Sequence, residues 1–185
     1  MTRILHIQAS PRGAESKSNE IARARIDTLR RSDPSIVVDT LDLWREPLPE
    51  FEGNSAAAKM SFFGVGQLDG AKRAAWDRIV VITERFKAAD HYVLGVPMWN
   101  GGIPYRLKLY IDIITQPGLL FGFDPAKGYF GLLKDKKRPS SIPAACSHQA
   151  IHRNTVSISS RTISICGSAS SASRTFRSFA FSLRC

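Results

Sequence analysis

No acidic residue follows Asp135, and that absence decides how the charge of this 185-residue chain is to be read. The formal net charge is +10, but residues 1–135 hold 18 Lys or Arg against 16 Asp or Glu. Residues 136–185 hold 8 Lys or Arg and no acid, so the basicity belongs to the tail and the rest of the chain is near neutral. Cysteine is equally scarce: Cys146, Cys166 and Cys185 are the only three, all in that tail. Their spacing matches no metal-ligand pattern, no other cluster of ligand-type residues stands out, and a cytosolic disulfide would be unusual. Also missing is any apolar run near the roughly 18 to 20 residues of a membrane span. Met-Thr-Arg leads straight into Ile4–Gln8 without the apolar segment of a secretory signal, so a cytoplasmic location is expected and no membrane partner. The length suits one domain with a substantial core.

What is present is an alternation of short apolar runs and helix-period segments. Arg3–Gln8 reads as a first strand, buried in a parallel sheet, and His6 within it reads as a buried, hydrogen-bonded core histidine. After the loop Ser10–Ser18, a helix is predicted from Asn19, with Ile21, Ala22, Ile26 and Leu29 on one face, ending before Pro34. Ile36–Leu43 is a second strand, Trp44–Gly53 a loop, and Ser55–Phe63 a short helix covered by Met60, Phe62 and Phe63. Gly64–Gly70 only looks like a dinucleotide glycine loop; the spacing is wrong and no strand precedes it, so it is a turn. Asp69–Ala89 is a long helix with Ala74, Ala75, Ile79, Ile82 and Phe86 at helical spacing, and His91–Val96 a third strand. A helix opened by Pro104 runs to Thr115. This pattern implies an α/β fold, a doubly wound parallel sheet in the order 2-1-3 with right-handed crossovers. Ligands of such sheets bind beyond the carboxyl ends of the strands where the order reverses, between the Ser10 loop and the Pro97 loop.

Both loops carry suitable chemistry. A strand passing through a Ser-rich loop into a helix N-terminus gathers backbone N–H groups, hydroxyls and the positive dipole end, which is a phosphate cradle by its physics. The candidates are Ser10, Ser16, Lys17 and Ser18, with Arg12 able to add charge; the local sequence leaves equally open that Ser16 or Ser18 only caps the helix. Pro97, Met98, Trp99, Asn100 and Gly101 suit a flavin ring: Met98 and Trp99 as flat or polarizable contacts, Asn100 as an amide for the pyrimidine edge, and Gly101 with Gly102 for close backbone approach. Plain packing by Met98 and Trp99, with Asn100 as a helix cap, remains the alternative at this point.

Ser10, Ser16-Lys17-Ser18-Asn19, Pro97-Met98-Trp99-Asn100, Leu107–Asp112 and the stretch from Gly118-Leu119-Leu120-Phe121 to Gly131-Leu132-Leu133 occur in an order that resembles the FMN-dependent NADH:azoreductases. These are also described as NAD(P)H:quinone oxidoreductases of the flavodoxin-like fold. The resemblance covers roughly residues 1–138. It implies that Ser10 and Ser16–Ser18 hold the FMN phosphate, that Met98–Gly101 contact the isoalloxazine, and that Gly118–Leu133 is a hairpin excursion before a fourth strand. It further implies a homodimer whose two subunits line each flavin pocket. The implied reaction is ping-pong, from NADH or NADPH through the flavin to a quinone or azo compound. The cofactor carries that chemistry, so no catalytic side chain and no metal is expected. A flavodoxin-like electron carrier is the alternative, disfavoured because such carriers are usually acidic.

Past Arg138 the resemblance stops. Thirteen of the residues from Pro139 to Cys185 are Ser, Lys and acids vanish, and only Thr155–Cys166 shows a little alternation. Residues 139–185 are therefore expected to be an aberrant, unordered tail that lacks the family's fourth and fifth strands. The composition is what a GC-rich gene read in the wrong frame produces, so a frameshift near codons 138–142, with an end at Cys185, is expected. The third strand would then be an unpaired edge, and the encoded flavoprotein unstable or inactive. A nucleic-acid-binding tail would need stacking aromatics among its cations, and Phe176, Phe179 and Phe181 beside Arg174, Arg177 and Arg184 supply only a thin version.

Overall fold

The computed structural model describes residues 1–133 and, as backbone only, 154–159 and 162–164. Strand β1 (Arg3–Gln8) leads through one turn of 3-10 helix, Gly13–Glu15, into α1 (Lys17–Ser32). β2 (Val37–Asp42), α2 (Gly53–Ser61), α3 (Gly70–Lys87), β3 (His91–Val96) and α4 (Tyr105–Ile114) follow. β4 (Phe121–Asp124) and β5 (Gly128–Gly131) form a separate antiparallel hairpin, the excursion expected there.

The strands align in the order β2-β1-β3, all parallel, as expected. β1 and β3 leave the sheet side by side, with Gln8 opposite Gly95 and the Ala9 N–H donated to Gly95 O at 3.0 Å. Apolar side chains on one sheet face (Leu5, Ile7, Leu41, Leu94, Val96) pack on α3 and α4 through Trp76, Ile79, Phe86, Leu107, Tyr110 and Ile113. The opposite face is smaller: Ile4, Val93 and Ile36 meet Ala22 and Ile26 of α1. Burying side chains of this size is the main stabilising contribution, about 1.5–3 kcal/mol each.

Several expectations are corrected. α1 starts at Lys17, two residues early, because Ser16 is its N-cap and accepts the Asn19 N–H. α2 buries Ser55 and Ala58, whereas Met60, Phe62 and Phe63 stay 44–47% exposed, although Phe62 packs on Trp76 at 4.4 Å between ring centroids. The buried stripe of α3 is Ala75, Trp76, Ile79, Thr83 and Phe86; Ala74 is exposed, and Ile82 packs half-buried at the edge of the core. Thr83 is tolerated inside because its hydroxyl donates to Ile79 O at 2.8 Å.

β3 is not an open edge. β6 (Asn154–Ser159) pairs with it antiparallel, Val156 opposite Leu94, and β7 (Thr162–Ser164) continues from β6 as a hairpin. Unmet N–H and C=O groups on an edge recruit any segment of sufficient β propensity, and Thr155, Val156 and Ile158 are β-branched. The expectation of an unordered tail from Pro139 otherwise lies outside the described residues.

Candidate functional site

The carboxyl ends of β1 and β3 frame a cavity of about 310 Å³ lined by Ser10, Arg12, Ser16, Lys17, Ser18, Pro97, Met98 and Trp99. The chain runs from β1 outward to β2 on one side and to β3 on the other, so this cavity lies where the strand order reverses. Seven of the nine residues proposed from sequence are brought together here.

On the first-loop side, Ser10, Ser16 and Ser18 are each buried, and the Ser16 and Ser18 hydroxyls lie 3.0 Å apart. Ser16 caps the helix, its Oγ accepting the Asn19 N–H at 3.3 Å, and it also lines the cavity. The N–H groups of Lys17 and Ser18, in the first turn of α1, find no acceptor among the described residues. Buried hydroxyls and unpaired N–H groups at a helix N-terminus are the donor set that a phosphate takes. The cations stand at the rim, Arg12 against Glu15 at 3.5 Å and Lys17 against Glu20 at 2.7 Å. Both are mostly solvated, so they supply a screened field rather than fixed contacts.

Two residues outside the sequence-based set hold this loop in place. Asn19 is fully buried and donates from Nδ2 to Gly13 O at 3.3 Å, while its Oδ1 has no partner among the described residues. Gly95 of β3 lets α1 approach: a Cβ there would stand 2.3 Å from Asn19 Oδ1, 3.1 Å from its Cα and 3.2 Å from its N.

On the second-loop side, Trp99 and Gly102 exchange backbone hydrogen bonds of 2.9 and 2.8 Å around a two-residue turn. Asn100 and Gly101 occupy its centre with φ of 48° and 76°, the conformation of a type I′ turn, for which Asn-Gly is the favoured pair. They are exposed at the tip and lie outside the cavity lining. The Asn-Gly signal for this hairpin was readable in the sequence. The turn aims Trp99, 40% exposed, back over the mouth beside Met98, giving one flat aromatic and one polarizable contact.

His6 lies under the first loop, 2% exposed. Burial, and secondarily the charge of Arg23, lower its pKa from 6.5 to about 4. Its Nε2 has no partner among the described residues, so the hydrogen-bonded core histidine expected from sequence is buried as expected but is not bonded at that atom.

A doubly wound α/β fold whose switch-point cavity gathers buried hydroxyls, helix N-terminal N–H groups and an aromatic residue has the architecture used by nucleotide- and flavin-binding proteins. Residues 2–152 match the family described as having a flavodoxin-like fold, and the chain belongs to that family. It is 64% identical over 137 residues to an FMN-dependent NADH:quinone oxidoreductase of Ruegeria pomeroyi, covering 74% of this chain and 67% of the relative. A protein of the same name from Desulfotalea psychrophila is 46% identical, with 74% and 64% covered. Among solved structures, an azoreductase from Bacillus anthracis superposes with a TM-score of 0.64 at 28% identity, over 74% of this chain and 65% of that one. The chain thus spans about two thirds of the length of the relatives it matches.

Proposed function

We propose that this chain is an FMN-dependent oxidoreductase that takes electrons from NADH or NADPH and delivers them to a quinone or azo compound. The observation that supports it best is the single cavity that joins a buried hydroxyl and N–H cradle to the Met98–Trp99 platform. Ser10, Ser16 and Ser18, with the N–H groups of Lys17 and Ser18, would hold the phosphate, and Lys17 and Arg12 would add charge. Pro97, Met98 and Trp99 would carry the ring; Asn100 and Gly101 hold the platform's shape through their turn, with the Asn100 amide free at the tip. When bound, FMN supplies two-electron chemistry, accepting a hydride from a reduced nicotinamide and reducing the second substrate. The protein's part is to bind, orient and shield, and no side chain is assigned a catalytic role.

A homodimer accords with the exposed apolar surface of the α2 end and the β4–β5 hairpin, where Phe62, Phe63, Phe123, Tyr129 and Phe130 are 41–56% exposed. The NADH in the relatives' printed names accords with a cytoplasmic enzyme, where reduced nicotinamide is at hand. No helix among the described residues is long and apolar enough to cross a membrane.

The test is direct. Purified full chain should be yellow, titrate with FMN, have its flavin reduced by one equivalent of NADH, and consume NADH continuously once a quinone is added. An electron carrier would bind FMN without turning over NADH, and protein that binds no flavin would overturn the reading for this chain while leaving its family membership intact. Replacing Ser16 or Ser18 with Ala should weaken FMN about tenfold, the worth of one charge-assisted hydrogen bond to a phosphate.

A further inference from the structure

Trp44 is not itself in the cavity lining; it lies in the loop after β2 and reaches both the start of the first loop and Trp99 of the second. Its indole N–H donates to Ala9 O at 2.9 Å, immediately before Ser10. Its ring meets Trp99 with centroids 6.0 Å apart, and the edge of Tyr105, the first residue of α4, at 5.2 Å. Its own backbone is pinned: the Trp44 N–H donates to Asp42 Oδ1 at 3.0 Å and the Leu43 N–H to Gln8 O at 3.1 Å. Arg106 of α4 donates to Leu43 O and Glu46 O, both at 2.8 Å, and Arg85 of α3 donates to Glu46 Oε1 at 2.9 Å.

We infer that Trp44 is a positioning residue, a strut that holds the Ser10 loop and the Trp99 hairpin at a fixed separation so that the two halves of the cavity act as one site. The contacts that tie these loops together beyond the sheet itself are few, since the first loop bonds mainly within itself and the hairpin closes on itself through Trp99 and Gly102. A ligand with a charged end and a flat end gains most when both halves are preorganised at the right distance, because the second contact then costs little further ordering. Loss of the strut therefore penalises ligands that use both halves and spares those that use one. The FMN form of this statement rests on the proposed function, whereas the coupling of the two loops does not.

Trp44→Phe is the decisive variant, because it keeps an aromatic ring against Trp99 and Tyr105 but removes the N–H given to Ala9. The first readout needs no ligand. Amide hydrogen exchange in the full chain should become about tenfold faster both in residues 10–18 and in 97–102, the signature of local opening in two loops that Trp44 belongs to neither of. Faster exchange confined to 42–48 overturns the inference. The second readout compares FMN with riboflavin, which lacks the phosphate. FMN affinity should fall about tenfold while riboflavin affinity holds within about twofold, since only FMN spans both halves. Parallel loss of both, tracking a lowered melting temperature, would mark Trp44 as a packing residue and overturn the strut. If exchange quickens in both loops but wild type binds neither flavin, the strut stands and the proposed function falls.

Discussion

His6 is the residue whose burial has the most readable consequence. Its imidazole is held neutral in the fold, with the pKa lowered to about 4 by desolvation and the Arg23 charge, against 6.5 in the unfolded chain. Above pH 6.5 it is neutral in both states and contributes no pH dependence. Between pH 6.5 and 4 the unfolded chain takes up a proton that the folded chain refuses, so stability falls with pH at up to about 1.4 kcal/mol per unit. Below pH 4 the loss levels off at about 3 kcal/mol. Urea denaturation across this range should show the slope, and His6→Leu should flatten it; a slope unchanged in that variant would assign the acid sensitivity elsewhere. Asp33 and Asp39, whose pKa values are lowered by hydrogen bonds from Ser35 and Arg85, lose their contribution mainly below about pH 4, so the slope between about pH 6.5 and 5 reports His6 most cleanly. Gly95 carries a second prediction at the same scale. Gly95→Ala puts a methyl against the backbone of Asn19, which cannot swing aside as a side-chain tip would, so α1 must move off β3. A cost of about 1–3 kcal/mol in denaturation is expected, together with weaker FMN binding as the cradle shifts. The burial of His6 was readable in the sequence from its place in an apolar run; the Arg23 charge beside it and the approach of Asn19 to Gly95 were not, because both come from α1.

Among the elements, β1 and β3 were legible to the residue, since each is a short apolar run closed by turn residues, and parallel pairing follows from the helices between them. Helix faces were less legible, because periodicity finds a stripe but not its angle. Trp76 and Thr83 of α3 face inward because the sheet and α4 lie there. What the sequence could not show at all is the clamp on the corner after β2. Arg85 forms a two-pronged pair with Asp39, at 2.8 and 3.1 Å, and reaches Glu46, while Arg106 caps two carbonyls of the same corner. These partners are 39–63 residues apart in sequence. Arg106→Ala leaves two half-buried carbonyls without their charged donor and should cost about 2 kcal/mol. Lys108→Ala, which breaks only an exposed pair with Asp112 on the same helix, should cost under about 0.5 kcal/mol. Equal effects of the two in chemical denaturation would mean that the corner is held by packing and not by Arg106.

The whole molecule combines a well-formed site with a sheet completed in an unusual way. A fourth strand reached by a right-handed crossover would run parallel to β3; β6 runs antiparallel and matches it over three residue pairs, Leu94 to Val96. The matched length of 137 residues is close to that of the segment up to Arg138, and about a third of each relative's length lies outside the match. A frameshift would account for the abrupt change in composition and for curated relatives that match only about 137 residues, although the family match itself runs on to residue 152. With a net stability of about 5–15 kcal/mol to draw on, a chain in which a frameshift had replaced the family's last strands and helices would keep little margin. Two measurements check this. In the coding DNA, one of the two alternative frames past codon 138 should restore Asp and Glu with an amphipathic pattern; if neither does, the tail is native and β6 is its evolved strand. If one does, the chain read in that frame should melt well above the present one and bind FMN more tightly, because a parallel fourth strand beside β3 would brace the loop that carries Pro97 to Trp99.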